Sequence, residues 1–106
     1  MAIYALNLFN LKDKQSYATY SKEANKALAR HGGKVVAVGD LESSPVGDVK
    51  PRQVLLVVEW ESKKSITNFL QDPEMEEFHP YRDKGLDDFV WHLFEKLEDL
   101  RPVLKG

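Results

Sequence analysis

The sequence predicts an α+β fold of element order β-α-β-β-α-β, with a four-stranded antiparallel sheet that carries its helices on one face. Three observations predict it: short apolar runs, a helical apolar stripe between the first two runs, and a stretch marked by prolines and a glycine before the last run. At 106 residues the chain is expected to form one domain over residues 1–106.

The first half of the chain is predicted to form a strand, a helix and a strand. Residues 2–9 are a short apolar run, typical of a strand. From Asp13, a suitable N-cap, apolar residues recur at steps of three and four, and Gly32 can end the helix because glycine accepts the left-handed conformation. Residues 34–42, KVVAVGDLE, read as the second strand, and residues 43–51 are rich in turn formers.

The second half opens on the β-branched run QVLLVVEWE, residues 53–61, which predicts the third strand. Ser62 can cap a short helix, and Pro73 and Pro80 can each begin another. The last strand is DFVWHLFEKL, residues 88–97, followed by a charged tail. This is the ferredoxin-like arrangement. Its expected spatial order is 4-1-3-2, with strands one and three central and parallel.

The strands are apolar on both sides, whereas a half-exposed strand alternates apolar with polar residues. In the first strand, for example, Leu6 and Leu8 lie on one side while Ala5 and Phe9 lie on the other. Two helices cover one face only, and leaving the other in water would forfeit on the order of 10–20 kcal/mol at about 1.5–3 per side chain. A C₂ homodimer, in which two sheets pair, is therefore predicted.

Composition excludes several classes of function. The net charge of −2 gives no basic surface for nucleic acid, and the absence of cysteine removes disulfides, thiolate zinc sites and cysteine nucleophiles. The apolar N-terminus lacks a basic lead-in, so we expect no signal peptide, no membrane span and a cytoplasmic location. Glu76 and His79 alone are too few ligands to predict a metal. No cofactor is predicted.

Isolated polar residues interrupt the strands at Asn7, Asp40, Glu59 and His92. From the assumed strand directions, Asn7, Glu59 and His92 are expected to converge at one edge of the second face, with Asn7 between the other two. Ionisable groups on an apolar face cost free energy unless they are paired or functional. His92 and Glu59 are therefore predicted as catalytic proton acceptors, and Asn7 as a hydrogen-bond donor to the ligand.

The segment EFHPYRDKG, residues 77–85, precedes the last strand and is expected to rim this pocket. The remaining predicted ligand-binding residues are Trp60, His79, Tyr81 and Arg82. Two structural alternatives stay open. Arg82 can instead form an ion pair with a carboxylate such as that of Glu59, Glu76 or Asp87, and His79 can serve as a helix cap.

An ordered set of motifs runs through residues 1–95: Gly32–Gly33 after the first helix, a turn at Gly47, Trp60–Ser62 closing the third strand and Pro80–Arg82 before the last. No single motif is diagnostic. As a set they resemble domain-of-unknown-function family 1330, of the dimeric α/β-barrel superfamily.

That superfamily includes cofactor-free monooxygenases, isomerases and ligand-binding regulators. The resemblance therefore implies a homodimer whose two sheets close into a barrel, each subunit holding a small pocket, but no particular chemistry. The expected function is binding of a small apolar or aromatic molecule, and whether the protein is also a cofactor-free enzyme of monooxygenase or isomerase type is left open. The alternative is a non-catalytic ligand-binding or stress-related dimer.

Overall fold

The computed structural model describes residues 1–105. Its strands are β1 (Ile3–Leu11), β2 (Lys34–Asp40), β3 (Val54–Trp60) and β4 (Leu86–Glu95). Its helices are α1 (Lys14–Arg30), α2 (Lys63–Leu70), a 3₁₀ helix (Pro73–Phe78), α3 (His79–Gly85) and the short α4 (Arg101–Lys105). The order of the elements confirms the predicted β-α-β-β-α-β series, and α4, which was not predicted, lies in the charged tail.

The strands form one four-stranded sheet in the order β2-β3-β1-β4, and every neighbouring pair is antiparallel. This confirms the α+β, ferredoxin-like fold class. The expectation that β1 and β3 are parallel is wrong. The long α1 crossover leaves β2 parallel to β1, and the connection after β2 returns β3 in the opposite direction between them. The antiparallel direction of β3 changes which residues meet across the sheet.

Local capping chemistry sets the helix boundaries as predicted. The Asp13 carboxylate accepts hydrogen bonds from the backbone N–H groups of Gln15 and Ser16 at the start of α1. Gly32 follows α1 with a φ of 81°, the left-handed conformation that glycine adopts without steric cost. The Ser62 hydroxyl accepts from the Ser65 N–H at the start of α2.

The helices cover one face of the sheet, which we call the helix-covered face. From the sheet it receives the buried side chains of β1 and β3, and Ile66 of α2 packs against them. These strand residues are Ile3, Ala5, Phe9, Val58 and Trp60. They alternate along each strand, as a sheet with one covered face requires. A second cluster joins Ala24 and Ala27 of α1 to Met75 of the 3₁₀ helix.

Gly85 brings the end of α3 against the start of α1. Its carbonyl oxygen accepts hydrogen bonds from the backbone N–H groups of Lys12, at 2.8 Å, and Asp13, at 3.2 Å. A Cβ at Gly85 would lie 2.8 Å from the backbone nitrogen of Tyr17, closer than real Cβ atoms approach. The segment 77–85 is therefore a helix junction that needs glycine at its end.

Within residues 1–105 no helix covers the other face, which we call the open face. Leu6 lies opposite Val57 and His92 on this face, and Tyr4 lies opposite Glu59 and Phe94. The Phe94 side chain is 51% exposed. Both faces of the sheet are thus apolar, but only one is covered within the subunit. Among residues 1–105, no helix has the length and apolar character needed to cross a membrane.

Candidate functional site

A cavity of about 290 Å³ lies between the helix-covered face and the helices. Val35 and Val38 of β2 are among its lining residues and are exposed. Its walls come from β1, β3 and β4 on one side and from α1, α2 and α3 on the other. The lining is mainly apolar, with polar groups contributed by Asn7, Tyr17, Tyr20, Ser21, Asn25 and Arg82.

Asn7 stands at the centre of the sheet wall, opposite Leu56 on β3 and Trp91 on β4. Its Nδ2 donates hydrogen bonds to the carbonyl oxygens of Ala5 and Leu56, each at 3.2 Å. Two carbonyl partners determine the orientation of the amide, because only the nitrogen can donate to them. The amide oxygen of this buried residue is therefore the atom left for a ligand that donates a hydrogen bond.

Aromatic rings surround the part of the cavity nearest α1. Phe9 lies 5.2 Å from Tyr17 and 6.1 Å from Phe89, measured between ring centroids. Phe89 follows an irregularity in the β1–β4 pairing, where Asp88 has a φ of 50°. Tilted rings at these separations attract each other and form an apolar wall.

The helix wall carries two tyrosines and the arginine. Burial raises the pKa of Tyr20, and the nearby Arg82 guanidinium opposes that rise. Burial likewise raises the pKa of Tyr17, opposed by a hydrogen bond with Ser21. Both phenols therefore stay protonated at neutral pH and present O–H groups to the cavity.

Arg82 is the single charged residue in the cavity lining given by residues 1–105. Its Nε donates to the Asp83 carboxylate at 3.4 Å, and the Asp83 side chain is 71% exposed. A pair that is so long and so open to water contributes little, since water screens the charges. The cavity thus combines an apolar interior with one cation.

The two tryptophans of the chain, Trp60 and Trp91, also line the cavity. Each indole Nε1 is buried and has no hydrogen-bond partner among residues 1–105. A buried donor without an acceptor is destabilising by about 1–3 kcal/mol. Such donors are uncommon in folded proteins and call for an explanation.

The structure divides the predicted site residues into three groups. Asn7, Trp60 and Arg82 line the cavity, whereas His79 and Tyr81 are not among its lining residues. His79 ends the 3₁₀ helix with its backbone N–H bonded to the Glu76 carbonyl, which agrees with the alternative of a helix cap. Arg82 pairs with Asp83 and not with Glu59, Glu76 or Asp87, the carboxylates considered as its partners. The third group, His92 and Glu59, lies on the open face.

The expected convergence of Asn7, Glu59 and His92 is wrong. Asn7 points toward the helices, while Glu59 and His92 lie on the open face, with β1 between their strands. Asp40 lies opposite Val54, on the helix-covered side. Alternation within one strand tells which residues share a side, but the register between strands decides which sides belong together.

Glu59 is instead paired with Lys96, whose Nζ lies 3.2 Å from its carboxylate and 5.8 Å from the centroid of the Tyr4 ring. His92 is exposed, and the centroid of its ring lies 6.5 Å from the centroid of the Phe94 ring. The catalytic roles of His92 and Glu59 stay predictions. No other wall faces either side chain within residues 1–105.

Sequence reasoning missed Tyr17, Tyr20, Phe89 and Trp91 as cavity residues. Tyr17 and Tyr20 fall on the apolar stripe of α1, which is typical of core residues. The available signal was their residue type, because a buried tyrosine hydroxyl usually needs a polar partner. No sequence feature gives the depth of a space between packed layers.

An ionic cluster outside the cavity ties α1 to the 3₁₀ helix. The Asp72 carboxylate lies 2.9 Å from both His31 Nε2 and the Arg30 guanidinium, and Arg30 also reaches Glu74 at 2.9 Å. Hydrogen bonds from His31, Arg30 and the Glu74 N–H lower the pKa of Asp72 to about 2. Within residues 1–105 no three acidic or histidine side chains group as metal ligands would.

The chain belongs to the family described as a domain of unknown function, DUF1330, whose model matches residues 2–93. No curated protein matches the chain. The family membership agrees with the resemblance drawn from the ordered motifs of the sequence.

Solved structures share the fold. A protein of unknown function from Rhodopseudomonas palustris, RPA0582, is 23% identical with a TM-score of 0.85, over 92% of this chain and 84% of that one. SnoaB, a cofactor-independent oxygenase from Streptomyces nogalater, is 14% identical with a TM-score of 0.66, over 94% and 97%. A dimeric ferredoxin-like protein of unknown function from Bacteroides fragilis is 15% identical with a TM-score of 0.56, over 90% and 96%.

Proposed function

We propose that this protein is a homodimer that binds a small apolar or aromatic molecule in the helix–sheet cavity of each subunit. The observation that carries the proposal is the cavity itself, which is concave, lined mainly by apolar and aromatic side chains and supplied with a few polar groups. Binding sites for small molecules in proteins have this composition. A volume of about 290 Å³ suits a molecule of one or two rings.

The open face supports the homodimer. It presents the half-buried side chains of Leu6, Leu8, Leu55 and Val57 together with the exposed ring of Phe94. A contiguous apolar surface of this kind is typical of an interface, and a twofold pairing of identical faces is the commonest way to cover it. One of the structural neighbours is described as dimeric. On this proposal the cavities lie outside the interface, on the far side of each sheet.

The dimer is tested by light scattering on the purified protein and on Leu6→Glu, which places a charge in the middle of the open face. Wild type is expected at twice the protomer mass, and Leu6→Glu at or near the protomer mass. Val46→Glu, in the loop after β2 where the side chain is 89% exposed, is the matched control and should leave the dimer intact. A wild-type monomer at micromolar concentration would contradict the proposal.

Ligand binding is tested by narrowing the cavity. Ala24→Leu adds bulk to a buried lining position of α1, whereas Ala29→Leu makes the same change on an exposed position of the same helix. Fluorescence of Trp60 and Trp91 reports on the site directly because both line it. A naphthalene-ring probe should perturb the fluorescence of wild type and Ala29→Leu, and should bind Ala24→Leu roughly tenfold more weakly through overpacking. Equal binding to both variants would contradict the proposal.

A second candidate is catalysis without a cofactor. It is supported by the fold shared with the oxygenase SnoaB and by Arg82, since a lone cation in an apolar cavity stabilises an anionic form of a bound substrate. Binding has the stronger support because the lining given by residues 1–105 contains no carboxylate or imidazole to act as a general base. Mass spectrometry of a co-purified ligand after incubation with air and protein tests this: unchanged ligand contradicts catalysis, and an oxidised product supports it.

A further inference from the structure

We infer that the ligand of this cavity is an aromatic molecule with a negatively charged oxygen, as in an aryl carboxylate, and that Arg82 binds that oxygen while the ring occupies the apolar remainder. The inference rests on the proposed binding function and specifies the chemistry of the same site. It follows from the charges, the free donors and the shape of the lining.

Within residues 1–105 the cavity lining carries a positive charge and no negative charge. Among the lining residues Arg82 is the only charged one, and no aspartate or glutamate of residues 1–105 joins it there. A partly buried guanidinium beside an apolar space is unfavourable unless an anion pairs with it. The exposed carboxylate of Asp83 meets only Nε, and at 3.4 Å. Both terminal nitrogens are therefore left without a carboxylate partner in the described part of the chain.

The guanidinium geometry favours a carboxylate over other anions. The planar fork of an arginine side chain matches the two oxygens of a carboxylate and can bind both at once. Tyr20 stands beside Arg82 in the lining. The Tyr20 oxygen accepts a hydrogen bond from the Arg82 side chain, so its protonated hydroxyl keeps a hydrogen to donate. An anionic oxygen at this end of the cavity would have donors from two helices.

The rest of the cavity is suited to a ring. Trp91, Phe89 and Phe9 form its sheet wall, and Leu28 and Phe69 face them from the helices. The buried Trp60, 1% exposed, and Trp91 each hold an indole N–H without a partner. The rings of both tryptophans add apolar surface to the lining. The inferred ligand is therefore a molecule that is aromatic at one end and anionic at the other.

The experiment compares 2-naphthoate with 2-naphthamide, which share the ring and differ in charge. Binding is measured by tryptophan fluorescence and by calorimetry on the protein of residues 1–106. We expect wild type to bind the carboxylate about tenfold to a hundredfold more tightly than the amide, the range for a hydrogen bond to a charged group. Arg82→Gln should lose this preference and retain amide binding. Arg101→Gln, which removes an exposed arginine outside the cavity lining, should behave as wild type.

The outcomes separate this inference from the proposed function. Equal affinity of wild type for the two probes, or a carboxylate preference that survives Arg82→Gln, overturns the role of Arg82 but leaves the cavity as a binding site. Failure of both probes to bind wild type at millimolar concentration overturns both. Loss of amide binding in Arg82→Gln shows that the substitution damages the cavity. In that case Arg82→Lys is the test. It keeps the positive charge, so it must bind 2-naphthoate more tightly than 2-naphthamide if the inference is right.

Discussion

The two faces of the sheet have similar sequences and different surroundings. Phe9, on the helix-covered face, is 1% exposed, whereas Phe94, on the open face, is 51% exposed. The covered face also holds the cavity and its polar groups, while the open face holds the Glu59–Lys96 pair and His92. Apolar character in the sequence therefore does not tell which face of the sheet is covered within the chain.

The difference separates stability from assembly. Side chains on the covered face are buried within one subunit, so their removal weakens the fold at any protein concentration. In the proposed dimer, side chains on the open face are covered only by the partner, so their contribution to stability is expected to depend on association. Matched substitutions on the two faces test this distinction.

The largest expected effect is that of Phe9→Ala. Removing a fully buried ring from the covered face should lower the free energy of unfolding by about 3–5 kcal/mol. Phe94→Ala, the same change on the open face, should cost less, and its cost should shrink as the protein is diluted. Urea unfolding followed by circular dichroism, at two protein concentrations, measures both. If the cost of Phe94→Ala is the same at both protein concentrations, the proposed distinction between the two faces is wrong.

A smaller effect is expected for glycines. Gly85→Ala pushes a methyl group against the backbone of α1 and should destabilise the protein by about 1–3 kcal/mol. Gly39→Ala adds the same methyl on β2, where the nearest atom is in Leu55 at 3.7 Å, and should change stability by less than about 0.5 kcal/mol. Thermal melts of the two variants measure both changes in stability. If Gly85→Ala is as stable as wild type, the close approach of α3 to α1 is contradicted.

Acid should loosen the helix layer through Asp72. Hydrogen bonds from His31, then Arg30, lower the pKa of this carboxyl in the folded protein to about 2, from an ordinary value of 3.8. Because the carboxyl has a lower pKa in the folded than in the unfolded protein, its charge stabilises the fold at pH values above 3.8. This stabilisation is lost as the pH falls toward 2. Asp72→Asn should be less stable than wild type at neutral pH and should lose less stability between pH 4 and 2. Asp48→Asn, in the exposed loop, should keep the wild-type acid dependence.

The smallest effect is expected at the open-face ion pair. Glu59→Gln removes the partner of Lys96, but both side chains are partly exposed and the pair is screened by water. The melting temperature should therefore match that of Glu42→Gln, an exposed carboxylate in the loop after β2. If Glu59→Gln abolishes the turnover of an identified ligand, the predicted catalytic role of Glu59 gains support in spite of its position.

Local chemistry made much of the fold predictable. Asp13, Ser62 and Asp72 cap helices as their residue types indicate, and Gly32 ends α1 in the left-handed conformation. These features depend on a few neighbouring residues. The candidate site was predicted only in part, since Asn7, Trp60 and Arg82 line the cavity while the remaining predicted residues do not.

By itself the sequence determined the order of the elements, their caps and the presence of two apolar faces, because each depends on spacing along the chain. Only the tertiary structure decided that β1 runs antiparallel to β3, that Asn7 faces the helices and that Glu59 does not. The physical reason is register: pairing across a sheet joins residues distant in sequence, and a change in strand direction moves every side chain to new neighbours. The cavity and its single cation exist only after that pairing is made.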